Sequence, residues 1–102
     1  MKMLELANAI LRRGGYSRAA ALSLAWRITN RYPAALREAA VCLAGGGMPA
    51  LEIAGYSLEE VQKTAMVGAF EALELMEILD QDTAAGDQLL VRLSRHDGRG
   101  EP

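Results

Sequence analysis

SLEEVQKTAMVGAFEALELMEIL, residues 57–79, is the longest uninterrupted helical pattern in the chain, and its reading decides the fold. Its start is marked twice: Ser57 suits an N-cap, and Glu60 three residues later completes a capping box. Leu58, Val61, Ala65, Gly68, Ala72, Leu75 and Leu79 recur at steps of three and four, which places them on one helix face. Met66, Ala69, Phe70, Leu73 and Met76 add an adjoining apolar face. The polar remainder is a narrow strip of Glu60, Thr64, Glu71 and Glu74, with Glu59, Lys63 and Glu77 beside it. A helix apolar around most of its circumference needs several neighbours. The pattern therefore predicts one central helix over 57–79, buried in a small helical bundle.

The rest of the chain supplies candidates for those neighbours. The spacing predicts a first helix over 2–13, with Met3, Leu6, Ala7 and Ile10 inward and Gly14-Gly15 as its stop. Ser17 caps a second helix ending near Tyr32, because Pro33 disfavours α conformation in the residue before it. In this helix Ala21, Leu24, Ala25, Ile28 and Tyr32 form the inner face, broadened by Leu22 and Trp26. Pro33 suits the first turn of a third helix over 34–44, with Leu36, Ala40 and Leu43 inward, ended by Gly45-Gly46-Gly47. Residues 49–54 read either as one helical turn or as a short extended segment. A last helix starts at Asp80 or Asp82 and runs to about Arg95, with Gly86 weakening it by about 1 kcal/mol relative to Ala. Residues 96–102, polar and glycine-rich, are expected to be a disordered tail. The expected architecture is all-α: one compact domain over 1–95 with about five helices.

Composition agrees with this class. Of 102 residues, 51% are hydrophobic, chiefly Ala, Leu and Met, a mixture that favours helix over sheet. No apolar run approaches the roughly 20 residues of a membrane span, and the N-terminal residues lack a signal-peptide cleavage pattern. The single cysteine, Cys42, lies between Val41 and Leu43 and is expected to be a buried thiol in a reducing compartment.

Charge is divided unevenly. Residues 1–45 carry seven basic and two acidic residues, a balance of +5, and residues 46–102 carry four basic and eleven acidic residues, a balance of −7. Two halves that fold together and neutralise each other account for this, as does an acidic surface kept for a basic partner.

Catalysis finds little support. A nucleophile needs a base and a group that orients the base, and the only histidine, His96, borders the expected tail. No Glu-x-x-His pair or Cys/His cluster accompanies the acidic residues, so neither metal nor cofactor is expected. The triple glycine fits neither a P-loop nor a dinucleotide fingerprint. Nucleic-acid binding is an alternative, through Arg12, Arg13, Arg18, Arg27, Arg31 and Arg37. Residues 51–69 have a helix–turn–helix flavour, but a recognition helix starting at Ser57 would open with Glu59 and Glu60, facing phosphates of the same sign. The preferred expectation is a non-enzymatic protein that binds another protein with a basic surface. Glu71, Glu74, Glu77, Asp80 and Asp82, spaced along one line, are the expected contact. Self-association, with the +5 and −7 halves pairing between subunits, is the third reading.

Residues 16–28, YSRAAALSLAWRI, resemble a segment of small phage and mobile-element accessory proteins, in which an aromatic-Ser opening precedes an S-x-A-L-x-x-A-W-x-I/L helix. Ser17, Leu22, Ala25, Trp26, Arg27 and Ile28 carry the likeness, and Thr29-Asn30 replaces the usual Ala-Lys ending. The resemblance implies an accessory protein acting in the cytoplasm of a bacterial host. It also implies binding to host or defence machinery, in the manner of anti-defence or anti-CRISPR inhibitors.

Overall fold

A computed structural model describes residues 3–97. The fold is all-α. In chain order the elements are α1 (Met3–Arg13), α2 (Arg18–Arg31), α3 (Ala34–Ala44), a hairpin of β1 (Glu52–Ile53) and β2 (Tyr56–Ser57), α4 (Leu58–Ala65), α5 (Ala69–Gln81) and α6 (Thr83–Asp97). Contacts gather into two compact units, Met1–Pro49 and Ala50–Pro102. The boundary follows the triple glycine and coincides with the change of charge, so the first unit carries the +5 and the second the −7.

The first unit holds α1–α3. Gly14 and Gly15, both at positive φ, end α1 in a conformation that a side chain would strain. Arg13 then donates through Nη1 to the carbonyl of Leu43 at the end of α3, which also accepts from Gly46 N–H at 3.0 Å. Ser17 caps α2, its Oγ accepting from Ala20 N–H at 3.1 Å. Leu6, Ile10, Leu24, Ile28, Leu36 and Leu43 are buried, as their spacing predicts. Two expectations are corrected here. Trp26 does not broaden the core but is 52% exposed, and Cys42 is exposed rather than buried. The cause is the narrowness of the buried arcs. In α2 it runs through Ala21, Leu24, Ala25 and Ile28, and in α3 through Leu36, Ala39, Ala40 and Leu43. At about 100° per residue, Trp26 and Cys42 fall outside them.

The second unit opens on the hairpin, so residues 49–54 form no helical turn: Glu52–Ile53 is a short strand paired with Tyr56–Ser57. Glu52 pairs with Ser57 and Ile53 with Tyr56 across the two-residue turn Ala54-Gly55. Ala54 (φ 56°) and Gly55 (φ 85°) are both left-handed, the signature of a type I′ turn, whose twist matches the flanking strands. Ser57 then caps α4 in the expected capping box: its Oγ accepts from Glu60 N–H at 3.1 Å, and Glu60 Oε1 accepts from Ser57 N–H at 2.9 Å.

The largest correction concerns 57–79, which is two helices. Met66 takes the left-handed conformation (φ 57°, ψ 48°), Val67 N–H bonds back to the Gln62 carbonyl at 3.2 Å, and the chain restarts at Gly68. This is a Schellman-type stop with a methionine where glycine is usual. A straight helix of this length would extend about 35 Å, and a unit this small cannot cover such a rod on most sides. Breaking it lets Leu58, Val61 and Ala65 of α4 face the apolar side of α5, which buries Phe70, Ala72, Leu73, Met76 and Leu79. Asp82 then ends α5 and caps α6, its Oδ1 accepting from Ala85 N–H at 3.1 Å. The α6 helix continues through Asp97, so His96 and Asp97 are helical and not tail. The remainder of the expected tail, 98–102, lies outside the described residues.

Candidate protein-docking face

The five carboxylates do not form one line. Positions three apart step back about 60° around a helix, so a row at 71, 74, 77 and 80 wraps halfway round α5. Glu71 and Asp80 are exposed on opposite sides of the helix. Glu74 is half-buried. Glu77 is buried at 9% exposure, and its Oε2 has no hydrogen-bond partner among the described residues, so it leaves the expected contact surface. Asp82 is exposed beyond the end of α5, its carboxylate engaged in capping. Glu71 sits in the first turn of α5, where the helix dipole favours a negative charge, and its carboxylate folds back over Gly68.

What α5 presents to solvent is a mixed face. Glu71, Glu74, Leu75 and Ile78 follow the i, i+3, i+4, i+7 spacing of one helix side. Ile78 is 36% exposed and Leu75 half-buried. At the turn before α5, Met66 is 71% exposed. Continuous-helix phasing assigns Leu75 to the core and leaves Ile78 unplaced. The available clue was Gly68, which serves as a second helix start as readily as a core position.

The pair α4–α5 also has the connectivity of a helix–turn–helix, with a three-residue turn at Met66, Val67 and Gly68. The second helix is therefore α5, not the helix at Ser57. Its sequence, AFEALELMEILDQ, contains no Lys, Arg or Asn and has Gln81 only at its far end. Such a helix repels phosphates and offers no base-reading donor in its first turns. In the first unit, Arg12, Arg18, Arg31 and Arg37 are exposed. Arg13 is tied to Leu43, and Arg27 is half-buried.

Among the described residues, no group of three or more His, Cys, Asp or Glu is placed to hold a metal ion. No helix among them is long and apolar enough to cross a membrane. Compared with known protein families, curated proteins and solved structures, the chain matches none.

Proposed function

We propose that the protein is a non-catalytic binding module that docks a basic protein partner through the exposed side of α5. The observation that carries this reading is the composition of that side: Glu71 and Glu74 alternate with Leu75 and Ile78 around one face of a helix with no basic residue. Apolar area supplies affinity, and the surrounding charge selects the partner and speeds its approach. The complementary surface is an Arg/Lys-bordered apolar patch. Asp80 near the end of α5 and Asp82 just past it extend the negative potential without Asp80 lying on the same side. The resemblance of residues 16–28 to phage accessory proteins supports a host or defence protein as the natural partner, with inhibition as the consequence of docking.

A synthetic amphipathic helix with a leucine stripe bordered by lysines serves as the probe. Its titration into isotopically labelled protein is expected to shift the resonances of Leu75 and Ile78, and to weaken with salt. The double variant Glu71→Lys/Ile78→Ser should lose most of this binding while keeping its helicity. Equal binding by the variant, or shifts confined to the first unit, would defeat the reading. A gel shift with duplex DNA at low salt covers the nucleic-acid alternative, since phosphate binding is strongest there. Retarded DNA would favour the exposed arginines over α5.

A further inference from the structure

The third helix carries a second exposed face. Its buried arc is Leu36, Ala39, Ala40 and Leu43, and on the other side Ala34, Arg37, Glu38, Val41 and Cys42 are all exposed. These positions follow i, i+3, i+4, i+7, i+8, the spacing of a helix seam. The seam borders an open groove of about 670 Å³ whose floor includes Leu6 and Ile28. Val41 stands in its wall, 38% exposed. The first unit otherwise presents Arg12, Arg18 and Arg31 to solvent. The α3 face is different: Arg37 and Glu38 cancel, and the rest is uncharged. It is the face on which a second +5 unit is least repelled.

We propose that this face is a self-association surface, and that its occupant is α3 of a second copy of the chain. The order of the charges selects the arrangement. On the helical wheel Ala34 and Val41 lie within about 20° of each other, Arg37 about 60° to one side and Glu38 about 40° to the other. A two-fold axis running along the helix turns the Arg37 flank of one copy toward the Glu38 flank of the other, so the ion pair forms twice. The small side chain of Ala34 admits close approach, and Val41 meets its counterpart across the axis. An antiparallel pair would instead set Arg37 against Arg37 and Glu38 against Glu38. Arg37 donates through Nη1 to the Thr29 carbonyl at 3.3 Å, and a guanidinium has donors to spare for a carboxylate. An 11-residue helix is about 16 Å long, so the pair buries less than the roughly 1,200 Å² of a standard interface, and the dimer is a weak one.

Sedimentation equilibrium on the full chain tests this. At high micromolar concentration and low salt, the wild type is expected to show a monomer–dimer equilibrium that salt weakens. Arg37→Glu places acid on both flanks and Glu38→Arg places base on both. Each alone is expected to weaken the dimer by more than about tenfold, through like-charge contacts. An equimolar mixture of the two restores association, because every flank then meets its opposite. Val41→Asp, on the same exposed face, is the independent check and should also give monomer. Circular dichroism verifies that each variant stays folded. A wild type that is monomeric throughout, single variants that dimerise like wild type, or a mixture that stays monomeric would each overturn the proposal. The face lies on α3, so none of these outcomes bears on docking at α5.

Discussion

Gly86 of α6 lies directly against Leu79 of α5. A Cβ built on Gly86 would stand 2.5 Å from Leu79 Cδ2 and 3.0 Å from Leu79 Cα. The glycine is therefore the contact that lets the two helices close, and its cost in helix propensity is offset by packing. Gly86→Ala adds about 1 kcal/mol of helix propensity and meets overpacking of about 1–3 kcal/mol against backbone that cannot swing away. The expected outcome is a net loss of up to about 2 kcal/mol, read as a lower midpoint in urea or thermal unfolding. Gly86→Ala combined with Leu79→Ala should cost less than the sum of the two single changes, because the second removes the side-chain part of the clash and leaves only the approach to Leu79 Cα. A raised midpoint for Gly86→Ala alone would show that α6 can shift freely.

Met66 stops α4 in the left-handed region, where a side chain costs roughly 1–2 kcal/mol. At 71% exposure, little of that side chain's burial is lost on truncation. Met66→Gly is expected to stabilise the protein by about 0.5–1 kcal/mol, after the larger unfolded-state entropy of glycine is counted. Met66→Val should destabilise, since a β-branched residue fits this conformation poorly. Chemical denaturation of the three proteins gives the order Gly, Met, Val if the break is where the structure places it. A continuous helix at this point would instead follow helix propensity and give Met, Val, Gly.

The hairpin turn offers a similar test. Ala54 occupies the first left-handed position of the turn and is exposed. Asparagine tolerates that conformation far better than alanine, and Asn-Gly is the favoured pair for this turn. Ala54→Asn should add up to about 1 kcal/mol. Ala54→Pro, which cannot reach positive φ, should open the hairpin. The readout is hydrogen exchange of Tyr56 N–H and of Leu58 N–H, which bonds the Leu51 carbonyl at 2.9 Å.

Much of this fold was legible where side chains act on their own backbone. Ser17, Ser57 with Glu60, Pro33 and the glycines after α1 and α3 set helix ends by local chemistry, and those ends fall where the residues predict them. The break at 66–68 was not legible, because Met66 carries no signal for left-handed backbone. Apolar residues on both sides also continue a plausible helical face across it. Trp26, Cys42 and Glu77 were misplaced for a related reason. Periodicity shows which residues can share a face, while the width of the buried arc depends on what packs there. The candidate site fails for a separate reason: four of its five carboxylates are at least partly exposed, but positions 71, 74, 77 and 80 share the unbroken helix α5, where a three-residue step turns them about 60° each time and so spreads the row round the helix.

Ile78 and Met76 separate folding from docking. They lie two residues apart on α5, Met76 fully buried and Ile78 36% exposed. Met76→Thr leaves a cavity and an unpaired hydroxyl in the core, and should cost about 2–4 kcal/mol. Ile78→Thr should change stability by no more than about 0.5–1 kcal/mol, as at an ordinary surface position. If α5 docks a partner through the side that carries Leu75 and Ile78, the ranking inverts for binding. In that case Ile78→Thr weakens capture of the lysine-bordered helix several-fold in protein that melts like the wild type. Met76→Thr, assayed below its own melting temperature, binds nearly as well as the wild type. Parallel thermal melts and peptide titrations on the two variants decide it. If both variants lose binding only in proportion to lost stability, Ile78 is an ordinary surface residue and α5 has no docking role.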